Sequence, residues 1–437
     1  MKEGDNMEKQ VAKKQSIWKN RNYIILFSSY SISTFGKFFD MLAVMLMFSY
    51  VWQSEPWMIS LIPIAYTIPH ALFSQFVGVF IDKGKKVKIM LFADLLTAIC
   101  TIALIFVYNP WVMLGIILVR SSVTIVHFPA QQALVNKVVH PDLIIKAVTL
   151  NGTVNQLSKI IGPFLGASVA AAYSPRMSFV VYAAALLISV CILLFVRHVD
   201  VDTPAVMSEV GQRGKDSFWK VWRTGWRSIF ESRVLFVSFT FSLIAFMSIQ
   251  FVDSQFVVLT RELFPDNPSV FGWLVSTIGF GAVAIIFFLN RLKNMKRYGL
   301  FLGSSMFFIG MGLFVMGRLL AGASLWMLIG TALVIGIGTG IFSVVFSYIL
   351  QMESPSGKVG QMSGIYNSLT GIIMLVAPLA GGFLVQIFGV LLIFQVIGIT
   401  TLIIGLVGIV LQKVLWGREG EQKIDVEKVE KSNQEIV

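Results

Sequence analysis

Charged residues are spaced along this chain so that long apolar stretches remain between them. Six stretches contain no Asp, Glu, Lys or Arg, at 56–81, 95–119, 177–196, 234–252, 267–290 and 298–317. Two longer stretches predict one helix in 319–352, after a small-residue turn near 321–324, and two in 359–412, broken at 386–389. Helices with internal charges are predicted at 22–51, 111–138 and 146–173. About 20 apolar residues cross a bilayer core. The pattern therefore predicts an all-α polytopic membrane protein with twelve transmembrane helices.

Lys and Arg are concentrated in every second connection between these helices. Residues 1–21 carry six of them, and the connections at 82–88, 197–233 and 291–297 are also basic. The intervening connections hold only Arg176, Arg261 and Arg318. Basic loops stay on the cytoplasmic side of a membrane. We therefore expect both termini in the cytoplasm and a location in the cell (plasma) membrane. The N-terminus is polar as far as residue 22, which predicts no cleavable signal peptide.

The amino-acid composition limits the classes of protein to which this chain can belong. Of the 437 residues, 56% are hydrophobic and 13% charged, and the mean hydropathy is +0.78. Soluble proteins carry about 45–50% apolar and about 25% charged residues. This composition excludes an ordinary soluble enzyme, a nucleic-acid-binding protein and a disordered chain. The net charge of +12 is accounted for by the basic loops. Two cysteines offer no disulfide framework or metal site, and no nucleotide-binding loop occurs. We expect no enzymatic activity, no cofactor, no metal and no nucleic-acid partner.

The longest connection divides the chain into two halves. The predicted segments are a cytoplasmic N-terminal segment 1–21, a six-helix half 22–197, a cytoplasmic linker 198–232, a second six-helix half 233–416 and a disordered cytoplasmic tail 417–437. Within the linker, aromatic residues recur at helical spacing with Lys and Arg between them, at Trp219, Trp222, Trp226 and Phe230. This pattern predicts an amphipathic helix lying on the inner membrane surface. A helix that binds a partner protein is the alternative.

Two short patterns recur at nearly the same offset along the chain, which indicates an internal repeat. Gly162-Pro163-Phe-Leu-Gly166 is echoed by Ala377-Pro378-Leu-Ala-Gly381-Gly382. Lys37-Phe-Phe-Asp40 is echoed by Gln250-Phe-Val-Asp253. The halves are therefore predicted to be parallel six-helix repeats. Such repeats place a substrate site near the membrane midplane, and access to it alternates as one half rocks against the other.

Several motifs resemble those of the major facilitator superfamily. Gly78-Val-Phe-Ile-Asp82-Lys83-Gly-Lys-Lys86 is similar to its loop signature after helix 2, except that Lys85 stands where the family has a glycine. Arg120 resembles the buried arginine of helix 4, and Gly162-Pro163-x-x-Gly166 resembles the helix 5 signature associated with antiporters. The resemblance implies the twelve-helix fold acting as a monomer. It also implies a gating loop, with members Gly78, Asp82, Lys83 and Lys86, and hinge signatures in helices 5 and 11.

A finer resemblance is to bacterial drug and siderophore exporters of the macrolide-efflux type. It rests on Ile89-Met-Leu-Phe-Ala-Asp94, on Phe128-Pro-Ala130 followed by Leu134-Val135, and on Gln351-Met-Glu-Ser-Pro355. It implies a secondary active transporter that uses protons to export a small amphipathic compound, such as a drug, antibiotic or secondary metabolite. The alternatives are an exporter of an anionic metabolite such as a siderophore, a lipid-handling flippase, or a non-transporting membrane receptor.

Ionisable residues inside predicted spans are candidates for function, because charges are costly in a bilayer. Arg120 lies nine residues after Trp111, and Asp40 lies ten before Tyr50. Both depths are about 14–15 Å, so an ion pair is geometrically open, either as a fixed structural pair or as a proton-coupled one. Lys159 is predicted to face the cavity, to snorkel or to pair with an acid. Asp94 is expected to anchor the loop between helices 2 and 3, and His70 and His127 to satisfy carbonyls at proline kinks.

The repeated carboxylates supply the sharpest site hypothesis. Burial disfavours an ionised carboxylate. Arg120 or Lys37 near Asp40 would oppose that effect, whereas Gln250 near Asp253 carries no charge to do so. Asp253 is therefore the better candidate for a proton carrier, and Asp40 for a charge-paired switch or substrate contact. The alternative is that Asp253 merely lies in a watery outer mouth. Asp82 is predicted to gate, by bonding the start of helix 11 near 357–360 in one state only.

Overall fold

The structure is a computed structural model that describes residues 16–196, 218–292, 295, 297–320, 322–355 and 358–417. Side chains are described at these positions except at 75, 76, 78–80, 82, 83, 218–222 and 224. The predicted N-terminal segment as far as residue 15, the linker at 198–217 and the tail from 418 lie outside the described residues. So do the side chains of the predicted gating residues Asp82 and Lys83.

The first half of the chain folds into six long helices. Their bounds are α1 Arg21–Val51, α2 Leu61–Lys83, α3 Lys86–Ile105, α4 Pro110–Val138, α5 Ile144–Ala172 and α6 Pro175–Leu194. The last turns of α1, Met47–Val51, are a π-helix. Helix α4 is interrupted after Thr124 and resumes at His127. A short helix, Pro56–Ile59, precedes α2.

Among the described residues, the second half folds into six further long helices and three shorter ones, of which the last is Gln412–Leu415. The long ones are α7 Arg233–Asp253, α8 Ser269–Leu289, α9 Tyr298–Gly317, α10 Leu325–Glu353, α11 Val359–Phe388 and α12 Val390–Val410. Phe218–Glu231, here called the linker helix, precedes α7. Phe256–Leu263, here called the connecting helix, lies between α7 and α8.

The predicted fold class is confirmed. Within the described residues, eleven helices are long and apolar enough to cross a membrane. The remaining long helix is α5, whose 29 residues extend over about 43 Å. Its apolar character is diluted by polar residues that include Asn151 and Lys159. The predicted break at 386–389 is also present: Gly389 ends α11 with φ of +84°, a left-handed conformation that favours glycine.

Local sequence signals fix several helix starts. The side chains of Asn20, Asn109 and Ser232 accept hydrogen bonds from the backbone N–H groups of Tyr23, Trp111 and Leu235. These caps satisfy donors that the first helical turn leaves unpaired. Proline is the first residue of α4 and α6, where its missing N–H has no consequence.

The described residues group into two compact units. Of the described residues, the first unit comprises those within 16–196 and 260–276, and the second comprises those within 218–259 and 277–417. The segment 260–276, which belongs to the second half by sequence, therefore packs with the first half. Gly272 of this segment lies so close to Ala167 and the Pro163 carbonyl that a Cβ atom there would clash with both.

Within the second unit the linker helix packs against the start of α11. Ile229 is 2% exposed and belongs to an apolar cluster with Met362 and Ile365. The Lys358 ammonium donates to Ser228 Oγ at 3.3 Å. The next residue, Phe230, is 63% exposed, whereas Trp226 packs partly buried against the same cluster. A helix is thus present in the predicted linker, and its position on the inner membrane surface stays a prediction.

Candidate functional site

The predicted ion pair between α1 and α4 is formed in the first unit. Arg120 donates from Nη1 to Asp40 Oδ1 at 2.6 Å and from Nη2 to Asp40 Oδ2 at 2.5 Å. The side chains are 1% (Asp40) and 3% (Arg120) exposed. Two parallel charge-assisted hydrogen bonds of this kind fix geometry as well as charge. Asp40 and Arg120 therefore hold α1 and α4 together at one point.

Neutral side chains complete the hydrogen bonding of this pair. The Tyr66 hydroxyl, from α2, donates to Asp40 Oδ2 at 3.0 Å and accepts from Arg120 Nη2 at 2.9 Å. Thr101, from α3, accepts from Arg120 Nη1 at 3.2 Å. The rings of Tyr66 and Tyr182 lie 5.8 Å from the guanidinium carbon. The pair is thus surrounded by α2, α3 and α6, as a buried charge pair requires.

A second polar cluster, which we name the Asp94 cluster, lies among α3, α4, α6 and α1. Ser189 donates to Asp94 Oδ2 at 2.8 Å, and Ser29 shares a 2.8 Å hydrogen bond with Ser189. His127 Nε2 is 3.2 Å from Asp94 Oδ1, close enough for an ion pair but poorly aligned for a hydrogen bond. The expected roles of Asp94 in the loop and of His127 at a kink carbonyl are therefore corrected. Both side chains point into the helical bundle, where Asp94 contacts His127 and Ser189.

Lys37 and Lys159 lie where α1 meets α5. A Cβ atom on Gly162 would be 2.5 Å from Phe38 Cβ, so the α5 backbone lies directly against the Phe38 side chain there. Lys37 precedes Phe38, and Lys159 lies one turn before Gly162. Both lysines are exposed, and neither makes an ion pair or hydrogen bond within the described part of the chain. Three settings were predicted for Lys159. Pairing with an acidic side chain is not observed among the described residues.

The echoed carboxylate, Asp253, is in a different setting in the second unit. It is the last residue of α7, and the helix breaks at Ser254 before the connecting helix begins. Its side chain is exposed, without an ion pair or hydrogen bond among the described residues. Gln250, one turn earlier, is 9% exposed. Helix α1 continues for eleven residues beyond Asp40, and the connecting helix ends ten residues beyond Asp253. The expected similar depth of the two carboxylates stays a prediction.

The repeat is visible in the packing of the glycine signatures. Gly166 of α5 lies against the backbone of Phe39 in α1, with 3.3 Å left between a built Cβ and the Phe39 Cα. Gly381 of α11 lies against the carbonyl of Phe251 in α7 closely enough to exclude any side chain. Pro163 and Pro378 are inside these two helices, and Gly382 is buried beside Gly381. In both halves, the signature helix thus contacts the backbone just before the repeated aspartate.

The loop after α2 is a tight turn. Helix α2 ends at Lys83 and α3 begins at Lys86, with the Gly84 N–H donating to the Ile81 carbonyl at 3.2 Å. Lys85, which replaces the family's glycine, has φ of −75°, so the turn needs no glycine there. The backbone of Gly78 is inside α2. The side-chain roles predicted for this loop stay predictions.

One contact was not anticipated from the sequence. Arg261 Nη1 donates to the carbonyl of Ser49, in the π-helical end of α1, at 2.8 Å and to that of Ser54, three residues beyond this end, at 3.2 Å. The Tyr50 hydroxyl donates to the Phe264 carbonyl at 3.4 Å. Burial lowers the pKa of Arg261 and raises that of its neighbour Glu262. The sequence marked Arg261 as unusual, because the weakly basic connections contain few arginines. The sequence did not identify the carbonyls that Arg261 binds.

Related proteins match most of the chain. It is 23% identical over 416 residues to an uncharacterized MFS-type transporter, YfiS, of Bacillus subtilis (strain 168), covering 94% of this chain and 97% of that protein. It is 21% identical to Macrolide efflux protein A of Enterococcus faecalis, covering 71% of this chain and 94% of that protein. The fold is similar to the crystal structure of nucleoside transporter NupG, with a TM-score of 0.67 at 14% identity, covering 91% of this chain and all of that one.

Two family profiles match the parts of the chain that contain these sites. The family described as Transmembrane secretion effector matches residues 16–317, and the profile of the Major Facilitator Superfamily matches residues 257–434. Together these matches include both glycine signatures, the Asp40–Arg120 pair and the α7–α8 connection. This chain belongs to the major facilitator superfamily of membrane transporters, within the family of transmembrane secretion effectors.

Proposed function

We propose that this secondary transporter exports a small amphipathic compound in exchange for protons, by alternating access. The family makes the chain a multi-pass membrane transporter rather than an enzyme. Similarity to macrolide efflux proteins supports export as the direction. We further propose that it acts as a monomer in the cell membrane, with both termini in the cytoplasm.

The observation that carries proton coupling is the contrast between Asp40 and Asp253. Asp40 has both oxygens engaged by Arg120, and one of them also by Tyr66, so its charge is already balanced by a guanidinium. Asp253 is exposed at the end of α7, without a cation beside it among the described residues. Carbonyl oxygens at a helix C-terminus disfavour a second negative charge. We therefore assign proton exchange to Asp253, and to Asp40 the role of a charge-paired switch.

In this proposal, the helices slide against one another at the glycine signatures of α5 and α11. Gly166 and Gly381 let α5 and α11 approach the carboxylate-bearing helices at backbone distance. Such side-chain-free contacts permit small sliding movements of packed helices. A change at Asp253 would then pass directly to α11, because Phe251 lies two residues earlier and against Gly381.

The test is uphill transport by inside-out membrane vesicles in which a pH gradient is imposed. Radiolabelled erythromycin, ethidium and naphthylacetate are the probes, chosen as amphipathic compounds that include two cations and one anion. The wild-type protein should accumulate at least one of them, and Asp253→Asn should abolish accumulation while exchange of preloaded probe continues. Asp266→Asn is the matched control, since it removes an exposed carboxylate from the same connection. Accumulation by Asp253→Asn at the wild-type rate would contradict the proposed proton carrier.

A further inference from the structure

The two unpaired lysines of the first unit each lie near the middle of a long helix. Lys37 is 16 residues from the start of α1 and 14 from its end, or about 24 and 21 Å. Lys159 is 15 and 13 residues from the ends of α5, or about 22 and 20 Å. A lysine side chain is too short to reach either membrane surface from there. Both ammonium groups must therefore be accommodated near the midplane.

These lysines are exposed, yet an exposed ammonium facing lipid at this depth is strongly disfavoured. Their exposed faces must therefore line a space that admits water. The composition of α5 agrees, because it is the long helix whose polar residues keep it below the hydropathy of the others in the described chain. The midplane is also where transporters of this architecture bind substrate.

The charges around this space do not cancel. Lys37 lies near Lys159, near the Asp40–Arg120 pair and near His70 of α2, closely enough for their charges to interact. Arg120 and Asp40 neutralise each other, so the two lysines leave a formal charge of +2 (three cations less one anion). His127, which is also near Lys37, contacts Asp94. No described acidic side chain contacts either lysine.

We propose that Lys37 and Lys159 form a binding site for an anionic group of the transported compound, such as a carboxylate, sulfonate or phosphate. This inference rests on the proposed function, and it narrows the substrate to amphipathic anions. Two ammonium groups from facing helices repel one another when the site is empty. An anion between them removes that repulsion and supplies acceptors for their donors. Such an occupant also bridges α1 and α5, which already pack closely where the Phe38 side chain meets Gly162.

The experiment compares three probes that share one ring system and differ in charge. Naphthylacetate is an anion, naphthylacetamide is neutral and naphthylethylamine is a cation at neutral pH. Their binding to the purified full-length protein in neutral detergent is measured by equilibrium dialysis. Naphthylacetate should bind at least about tenfold more tightly than either analogue, since hydrogen bonds to a charged group are stronger than those to a neutral one. Equal or weaker binding of naphthylacetate than of naphthylacetamide would overturn the proposal.

Substitutions then locate the site. Lys37→Gln and Lys159→Gln should each weaken naphthylacetate binding about tenfold and leave naphthylacetamide unaffected, whereas Lys159→Arg should retain most of the preference. Lys146→Gln is the matched control, because it removes an exposed lysine thirteen residues earlier in the same helix. Loss of naphthylacetate binding in the control, or its retention in both site variants, would refute the assignment. The readout is binding alone, so it is independent of proton coupling: unaltered uphill transport in Asp253→Asn would reject the proposed coupling without altering this result.

Discussion

Replacing Asp40 with asparagine should destabilise the first unit strongly. Arg120 is 3% exposed, and its two strongest hydrogen bonds go to the carboxylate oxygens at 2.6 and 2.5 Å. Asparagine keeps one acceptor oxygen, but its amide group is a donor that would face the guanidinium. The charge of Arg120 then remains buried without a counter-charge. Removing one partner of a buried pair in this way costs about 3–5 kcal/mol.

Thermal unfolding of the purified protein in neutral detergent measures this effect. A unit of this size loses about 2–4 °C of unfolding temperature per kcal/mol, so Asp40→Asn should unfold roughly 6–20 °C below the wild type. Asp142→Asn is the control. Its carboxylate is 59% exposed and 3.7 Å from His140, and an exposed pair contributes at most about 1 kcal/mol. The control should therefore unfold within about 4 °C of the wild type.

A double-mutant cycle separates the interaction energy of Asp40 with Arg120 from the destabilisation that each substitution causes by itself. Arg120→Gln alone should also destabilise, because Asp40 is then left buried as an anion. In the double variant neither charge remains, and Asn and Gln can bond each other. The combined loss should therefore be smaller than the sum of the single losses by at least about 1 kcal/mol. Additive losses, or an Asp40→Asn protein as stable as Asp142→Asn, would refute the description of this pair as tightly coupled.

Three other features of the chain can each be tested singly. Reporter fusions after Lys88 should report cytoplasm and fusions near Asp266 the outside; either result reversed would break the predicted topology. Arg261→Ala should free the carbonyls at the end of α1, so that a cysteine placed at Ser54 in a cysteine-free protein reacts faster with a thiol reagent, and an unchanged rate would exclude a clamping role. Asp82→Asn should lower the transport rate with nearly unchanged equilibrium binding of the probe; equal losses of rate and binding would contradict gating.

The Asp40–Arg120 pair was accessible from sequence because it depends on depth along a helix. Each residue could be placed by counting from the nearest span end at about 1.5 Å per residue. Opposite charges at matching depth have few other partners in a membrane. The same counting placed Lys159 in mid-helix but left its environment open, because depth does not say which way a side chain points around the helix axis.

That missing rotational information explains the error at Asp94. Its distance from the basic loop suggested an anchor, whereas its position around α3 directs it toward Ser189 and His127. The contact of Arg261 was hidden for another reason. It depends on a π-helical end of α1 that has no sequence signature in this chain, and on a partner segment from the other half of the sequence. Both contacts become visible only when the tertiary packing is specified.

The two repeats share a contact between helices but differ in the charged residues beside it. In each half a glycine of the signature helix touches the backbone of the helix that carries the repeated aspartate. In the first half Lys37 begins the motif, and an arginine from α4 completes a pair with Asp40. In the second half Gln250 begins it, α7 ends at Asp253, and no described cation balances that carboxylate. Because both aspartates adjoin equivalent helix contacts, a change in charge at either can bias the same kind of helix movement. In the proposed mechanism Asp40 keeps its charge balanced by Arg120, whereas Asp253, with no described cation beside it, is the group that exchanges the proton. The asymmetry that we propose for coupled exchange is therefore a charge pair in one half and an unpaired carboxylate in the other.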